Sequence, residues 1–235
     1  MSMTERTGLR LAATLLFAGE LLSFLVGIFH PSREAPNDHP AVFAEYAGSA
    51  TWTAVHLGQF VGMAIVLAGL LVLFVILNAD AERPGWASAF GAVLAVATLV
   101  LYGVLQAVDG VTLKQAVDAW ARAPDAEKAA RFAAAEAIRW LEWGVRSYQS
   151  FMFGLSLVLF GTALAGAPRT PRPIGYLMGL SGVTYIVQGW VLGAEGFSAS
   201  NTVPQLLAYL LIVAWSLWLL IVAWRMKKSG EAATG

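Results

Sequence analysis

Six long apolar runs dominate this sequence and decide what it can fold into. They extend over Gly8 to Phe29, Thr53 to Leu77, Trp86 to Val108, Arg146 to Gly166, Ile174 to Gly193 and Val203 to Trp224. Each is close to the roughly 20 residues that carry an α-helix across bilayer hydrocarbon. The runs are unbroken and lack a period of two, which excludes a membrane β-barrel. With 58% hydrophobic and 13% charged residues, the chain lies far from soluble domains, where charged residues are about 25%. The expected fold is all-α: a single integral membrane domain over residues 1–235, with six transmembrane helices and both termini in the cytoplasm.

The orientation follows from the basic residues. Arg6, Arg10, Arg83, Arg169, Arg172, Arg225, Lys227 and Lys228 fall on one side, whereas the short loops opposite offer only Arg33. Positive charge marks the cytoplasmic face. The first run is longer than a signal-peptide core of about 7–15 residues and no small-residue cleavage site follows, so it reads as a retained anchor. Trp52, Trp143 and Trp190 are expected at the outer interface, Trp86 and Trp224 at the inner one. A formal net charge of +0 gives no reason to expect a nucleic-acid partner. Zero cysteines exclude disulfides and thiolate metal sites.

Two segments, 30–52 and 109–145, lie outside the membrane on the outer side. In the first, Asp38 or His39 is placed to cap a short helix beginning at Pro40. In the second, Asp109-Gly110 reads as a turn with Thr112 as a cap, and Pro124, Asp125 and Glu127 as a fresh helix start. Nothing stops that helix before Gly166, so it runs from an extramembrane stem into the fourth span. Pro84, Pro168, Pro171 and Pro173 break the helices in the short inner loops.

Several polar residues interrupt this apolar pattern. Glu20 sits about 13 Å below Phe29 at 1.5 Å per residue, and an ionisable group at that depth marks a functional hypothesis. Its nearest polar partners by depth are Thr184 and Tyr185, with Gln188 one turn above. It is either a hydrogen-bonded link between spans one and five or a proton-relay or ligand-binding carboxylate. On the fourth helix, Glu136, Arg139, Glu142, Arg146 and Gln149 recur three or four apart and share one face. That stripe is either a solvated face or the lining of a cavity open to the outside.

All three histidines, His30, His39 and His56, fall on the outer side with Asp38 and Glu45 between them. A His/carboxylate set suits Zn, Fe or Mn, although no HExxH spacing is present. His56 with Gln59 on one helical face also fits a polar contact between helices. Gly58-x-x-x-Gly62, Gly175-x-x-x-Gly179 and Gly189-x-x-x-Gly193 are small-residue packing motifs, for contacts inside the bundle or in a homo-oligomer.

The stretch RPIGYLMGLSGVTYIVQGWVLG, Arg172 to Gly193, with Arg6 to Pro31 ahead of it, resembles small bacterial multi-spanning membrane proteins grouped as a domain of unknown function. The resemblance implies an integral protein of the bacterial inner membrane. It assigns no activity and transfers no functional residues.

Three functions are open on these observations. The first is a non-enzymatic sensing, accessory or ligand-binding module whose outer-half pocket takes a small molecule or a partner membrane protein. The second is a proton-coupled carrier built on Glu20. The third is a membrane-embedded metal-dependent enzyme, which requires two of the histidines to converge with a carboxylate. The residues expected to contact ligand are Glu20, His56, Gln59, Arg139, Glu142, Arg146, Gln149, Tyr185 and Gln188; those expected to contact metal are His30, His39 and His56. No cofactor is specified, and the lipid bilayer is the one certain surrounding.

Overall fold

The computed structural model describes residues 3–79, 85–168 and 170–226. These form eight α-helices: α1 Met3–Gly27, α2 His39–Ala47, α3 Trp52–Leu77, α4 Trp86–Ala107, α5 Lys114–Ala121, α6 Asp125–Gly166, α7 Arg172–Glu195 and α8 Thr202–Arg225. A π-helical segment, Val108–Leu113, joins α4 to α5, and a 3-10 turn, Ala199–Asn201, leads into α8. Six stretches are long and apolar enough to cross a membrane: Glu5–Gly27, Trp52–Leu77, Trp86–Ala121, Asp125–Gly166, Arg172–Glu195 and Ala199–Arg225. The chain is a multi-pass helical membrane bundle.

The long helices close into a ring that follows chain order. α1 packs on α3, α3 on α4, α4 on α6, α6 on α7, α7 on α8, and α8 returns to α1. The small-residue motifs are used inside this ring. A Cβ at Gly161 of α6 would stand 2.6 Å from the carbonyl oxygen of Gly175 on α7, so the two backbones touch directly. Gly62 likewise lies against Gly19 and Ser23 of α1. Ser147 donates to Gly189 O at 2.6 Å, and Ser156 to Gly91 O at 2.8 Å, tying α6 to α7 and to α4. Phe24, Val93, Val100, Leu155, Leu206 and Leu210 are exposed around the outside, an apolar surface that suits lipid contact.

At the end of the ring where the chain starts, the Arg10 guanidinium donates to Ala223 O, Trp224 O and Met226 O. It satisfies carbonyls that the last turn of α8 leaves without intrahelical donors. Arg83, Pro84, Arg169, Lys227 and Lys228, used for loops and orientation, lie outside the described residues.

The opposite end carries a second small core. Val42, Phe43 and Tyr46 of α2 pack with Trp52, Leu113, Val117 and Ala135. Asp38 caps α2, accepting from Ala41 N at 3.3 Å, with Pro40 in the first turn. α6 runs 42 residues without a break at Gly144, about 63 Å at 1.5 Å per residue.

Two expectations are corrected here. Asp109-Gly110 makes no turn: the chain stays helical through the π segment, and Thr112 donates back to Ala107 O at 3.0 Å instead of capping a new helix. Gly110 permits this, because a Cβ there would stand 2.6 Å from His56 Cβ. Trp52 is not an interfacial anchor, being 1% exposed inside the outer core. Its indole is held inward by donating to Asp109 O at 3.0 Å.

Candidate functional site

Three segments deliver one side chain each to the same point beneath the outer core. His30 follows the end of α1, His56 lies in the second turn of α3, and Asp109 is the second residue of the π segment. One ligand-type atom from each lies within 4.8 Å of the others.

Both imidazoles are fixed by backbone carbonyls. Nδ1 of His30 is 2.7 Å from Pro31 O, and Nδ1 of His56 is 2.8 Å from Trp52 O. A carbonyl only accepts, so each Nδ1 carries a proton, and in the neutral ring Nε2 is then the accepting atom. This is the orientation that metal-bound histidines commonly have. Burial lowers the pKa of His30 from the ordinary imidazole range, with nearby Asp109 opposing that shift.

Asp109 Oδ2 lies 3.0 Å from His56 Nε2, ion-pair distance for a protonated ring, while buried Asp109 Oδ1 has no hydrogen-bond partner. With bonds of about 2.0–2.1 Å, a tetrahedral ion separates its ligand atoms by about 3.3 Å; His56 and Asp109 are 3.0 Å apart, and His30 brings its atom within 4.8 Å of both. The donor set of two imidazoles and a carboxylate fits a borderline divalent metal.

The surroundings are aromatic and rigid. Trp52 lies 4.4 Å from His56, 5.1 Å from His30 and 4.2 Å from Tyr46 between ring centroids. Thr53 adds a bond to Gly110 O at 3.4 Å, locking the start of α3 to the π segment. Desolvation is the largest influence on Tyr46 and raises its hydroxyl above the ordinary phenol range.

Beside this set lies a buried ion pair from the α6 stripe. Arg139 Nη1 donates to Glu142 Oε2 at 2.6 Å, with both residues at 3% exposure or less. The Arg139 guanidinium also stacks over Phe197 at 4.8 Å and Tyr46 at 5.6 Å. Glu142 is within electrostatic range of Asp109 and His56. The stripe therefore faces inward. Deeper in the ring, the Arg146 guanidinium lies 6.0 Å from the Tyr102 ring centroid with Tyr209 and Tyr185 in electrostatic range, and Glu20 is in turn in range of Tyr185. Gln149 is fully buried with both amide atoms unpartnered.

The remaining site residues are dispersed. Gln188 donates to Pro204 O at 3.4 Å, Tyr185 packs edge-on to Phe153 at 4.8 Å, and Gln59 is half-buried on α3. Glu20 of α1 lies within electrostatic range of Tyr185 on α7, while Thr184, the other expected partner, donates to Ser181 O at 2.6 Å. His39 also departs from the expected set. As the first residue of α2 it faces α6, 2.9 Å from Glu136 and stacked on Phe43 at 5.6 Å, while His30 and His56 meet elsewhere. Asp38 and Glu45 are used locally, as the α2 cap and as the acceptor for Arg33 N and Glu34 N.

Sequence reasoning missed Asp109 by reading it as part of a turn. The signal available was its level, an acidic residue at the outer end of an apolar run, alongside His56 and His30.

Comparison with known proteins finds one family model, a domain of unknown function (DUF4386), matching residues 11–223. No curated protein and no solved structure matches.

Proposed function

We propose that this chain, which belongs to the DUF4386 family, holds a divalent transition-metal ion between His30, His56 and Asp109 and acts as a membrane-embedded hydrolase. The supporting observation is the convergence of those three ligand atoms, with a backbone carbonyl held at Nδ1 of each histidine. Three protein ligands leave a coordination position open for water or substrate, the pattern of catalytic rather than structural zinc sites. A zinc ion held by His30, His56 and Asp109 would supply Lewis-acid chemistry, activating water as a nucleophile near neutral pH. Glu142 is the group to take the proton, and Arg139 the group to face negative charge developing on a carbonyl oxygen.

Two further features favour hydrolysis over the alternatives. A non-enzymatic module has no need for an acid–base pair beside its ligand set, yet Glu142 and Arg139 stand there buried. A carrier needs a polar path past Glu20, whereas Gly19, Leu16, Ala13, Ala12 and Leu9, the buried α1 residues between Glu20 and Glu5, carry no polar side chain. The charge bias of Arg6, Arg10, Arg172 and Arg225 supports both termini in the cytoplasm of a bacterial inner membrane, with the metal ligands on the outer side.

The test is metal analysis of purified protein. About one zinc per chain is expected, lost in His56→Ala and Asp109→Asn and kept in His39→Ala. Metal-free wild type, or equal loss in His39→Ala, overturns the proposal.

A further inference from the structure

The seam that closes the ring is tight at one end only. The bonds tying α1 to α8, from Arg10 to the last carbonyls and from Trp224 to Thr14, lie where the chain starts. There Ala12, Ala13 and Leu16 of α1 and Trp215 and Leu219 of α8 are buried. In the half nearer the outer core no residue of 20–30 is buried, and of 202–211 only Ala208 is. A helix flanked on both sides buries a residue in nearly every turn. Here α1 keeps to α3, through Ser23 against Gly62 and Val26 against Gly58, and leaves α8. Phe24 and Leu25 on one edge and Leu206 and Leu210 on the other are exposed, so the opening faces lipid.

Behind that opening lies a cation without a counter-ion. Arg146 points from α6 into the ring, over Tyr102 of α4 and in electrostatic range of Tyr185 on α7 and Tyr209 on α8. Among the described residues no carboxylate forms an ion pair with it, and Glu142 is taken by Arg139. An unpaired charge at membrane depth is costly, so an anion is the missing partner. Arg146 is only half-buried, and neither its nitrogens nor the Tyr185 hydroxyl are among the atoms sealed off without a partner. Both stay within reach of a ligand. Arg146 only donates, so the Tyr102 oxygen accepts from it and the phenolic O–H can donate onward.

One guanidinium balances one negative charge, and its paired N–H groups match the two oxygens of a carboxylate. A dianionic phosphate would bring excess negative charge into a centre that already holds Glu20 in range of Tyr185. The apolar edges of the opening favour a charge that arrives on a hydrocarbon chain. We infer that the ring centre binds the carboxylate of a single-chain amphiphile such as a long-chain fatty acid, admitted from the bilayer between α1 and α8. Arg146 takes the carboxylate, Tyr102 and Tyr185 donate to it, and the chain lies in the opening beside Phe24 and Leu206. The site needs no metal ion, so it stands or falls apart from the hydrolase reading.

The test is photolabelling of the full chain in nanodiscs with dodecanoic acid bearing a mid-chain diazirine, its methyl ester serving as control. Mass spectrometry of peptides maps the labelled positions. The acid is expected to label residues 20–29 and 203–211 about tenfold more than the ester does, because the ester lacks the charge that pairs with Arg146. Arg146→Gln is expected to lower acid labelling at least about tenfold, and Tyr185→Phe several-fold, as lost hydrogen bonds to a charged group predict. Unlabelled dodecanoate is expected to compete, and acetate is not. Equal labelling by acid and ester, even labelling of all six crossing helices, or labelling unchanged in Arg146→Gln overturns the site. Acetate competing as well as dodecanoate assigns the centre to a soluble anion and overturns the amphiphile. Should Arg146→Gln not fold, unchanged labelling of folded Tyr185→Phe overturns the site.

Discussion

Nδ1 of His56 lies 2.8 Å from the carbonyl oxygen of Trp52, one turn earlier on the same helix. The α-helix thus fixes the tautomer of its own histidine, and the other face of the ring is turned to Asp109. Trp52 serves the same end twice, since its indole donates to Asp109 O at 3.0 Å. Ring, carbonyl and carboxylate are therefore positioned by one short stretch of α3.

Trp52→Phe keeps the ring and removes that donor. Stability is expected to fall by about 1–2 kcal/mol from the unpaired carbonyl. Zinc affinity should fall in parallel, about 10-fold or more, as for other outer-shell partners. Competition with a fluorescent chelator measures the second effect, and unchanged affinity would separate Trp52 from the metal ligands.

Gly110→Ala places a methyl group 2.6 Å from His56 Cβ. Overpacking of this kind costs about 1–3 kcal/mol. Because the strain falls on a proposed ligand, metal retention should suffer more than in Gly144→Ala, where a Cβ meets open space. Thermal unfolding with and without added zinc distinguishes the two.

Arg139→Met leaves Glu142 buried opposite an apolar side chain. Breaking a buried pair from one side costs about 3–5 kcal/mol, while an apolar pair of similar volume is often neutral. The double variant Arg139→Met/Glu142→Leu is therefore expected to recover most of the lost stability while abolishing hydrolysis. A double-mutant cycle in detergent measures the coupling.

Gly161→Ala tests the ring wall away from the site. Its Cβ would lie 2.6 Å from Gly175 O and also 2.6 Å from Gly179 N, so α6 and α7 must separate. A loss of at least about 1–3 kcal/mol is expected, with zinc stoichiometry in the surviving folded protein close to wild type.

Hydropathy made the crossing helices legible, because a bilayer admits few alternatives to an apolar helix of fixed length. The Asp38 cap before Pro40 and the uninterrupted α6 were equally readable, since each rests on local chemistry. The site was harder to read because its residues depend on rotation about helix axes. Asp109-Gly110 carries a turn signature, and the π-helical continuation that brings Asp109 beside His56 leaves no mark in hydropathy. His39 and His30 share an outer loop, yet the register of α2 aims His39 at Glu136 and away from the other two. The Arg139–Glu142 stripe has the spacing of a solvated ladder, and only the closure of Tyr46, Phe197 and the Pro36 carbonyl over Arg139 makes it interior.

The ring closes when α8 docks on α1, where Trp224 Nε1 donates to Thr14 at 3.2 Å and Arg10 seals the last carbonyls. The three proposed ligands all precede α5 in the chain, so they emerge from the ribosome long before that closure. Biosynthesis can thus bring the ligands together while the last helices are still being made. A chain arrested ahead of α8 would carry the ligands but leave its polar centre open to lipid, making the final helix the checkpoint between a metal-competent nascent chain and a finished membrane protein.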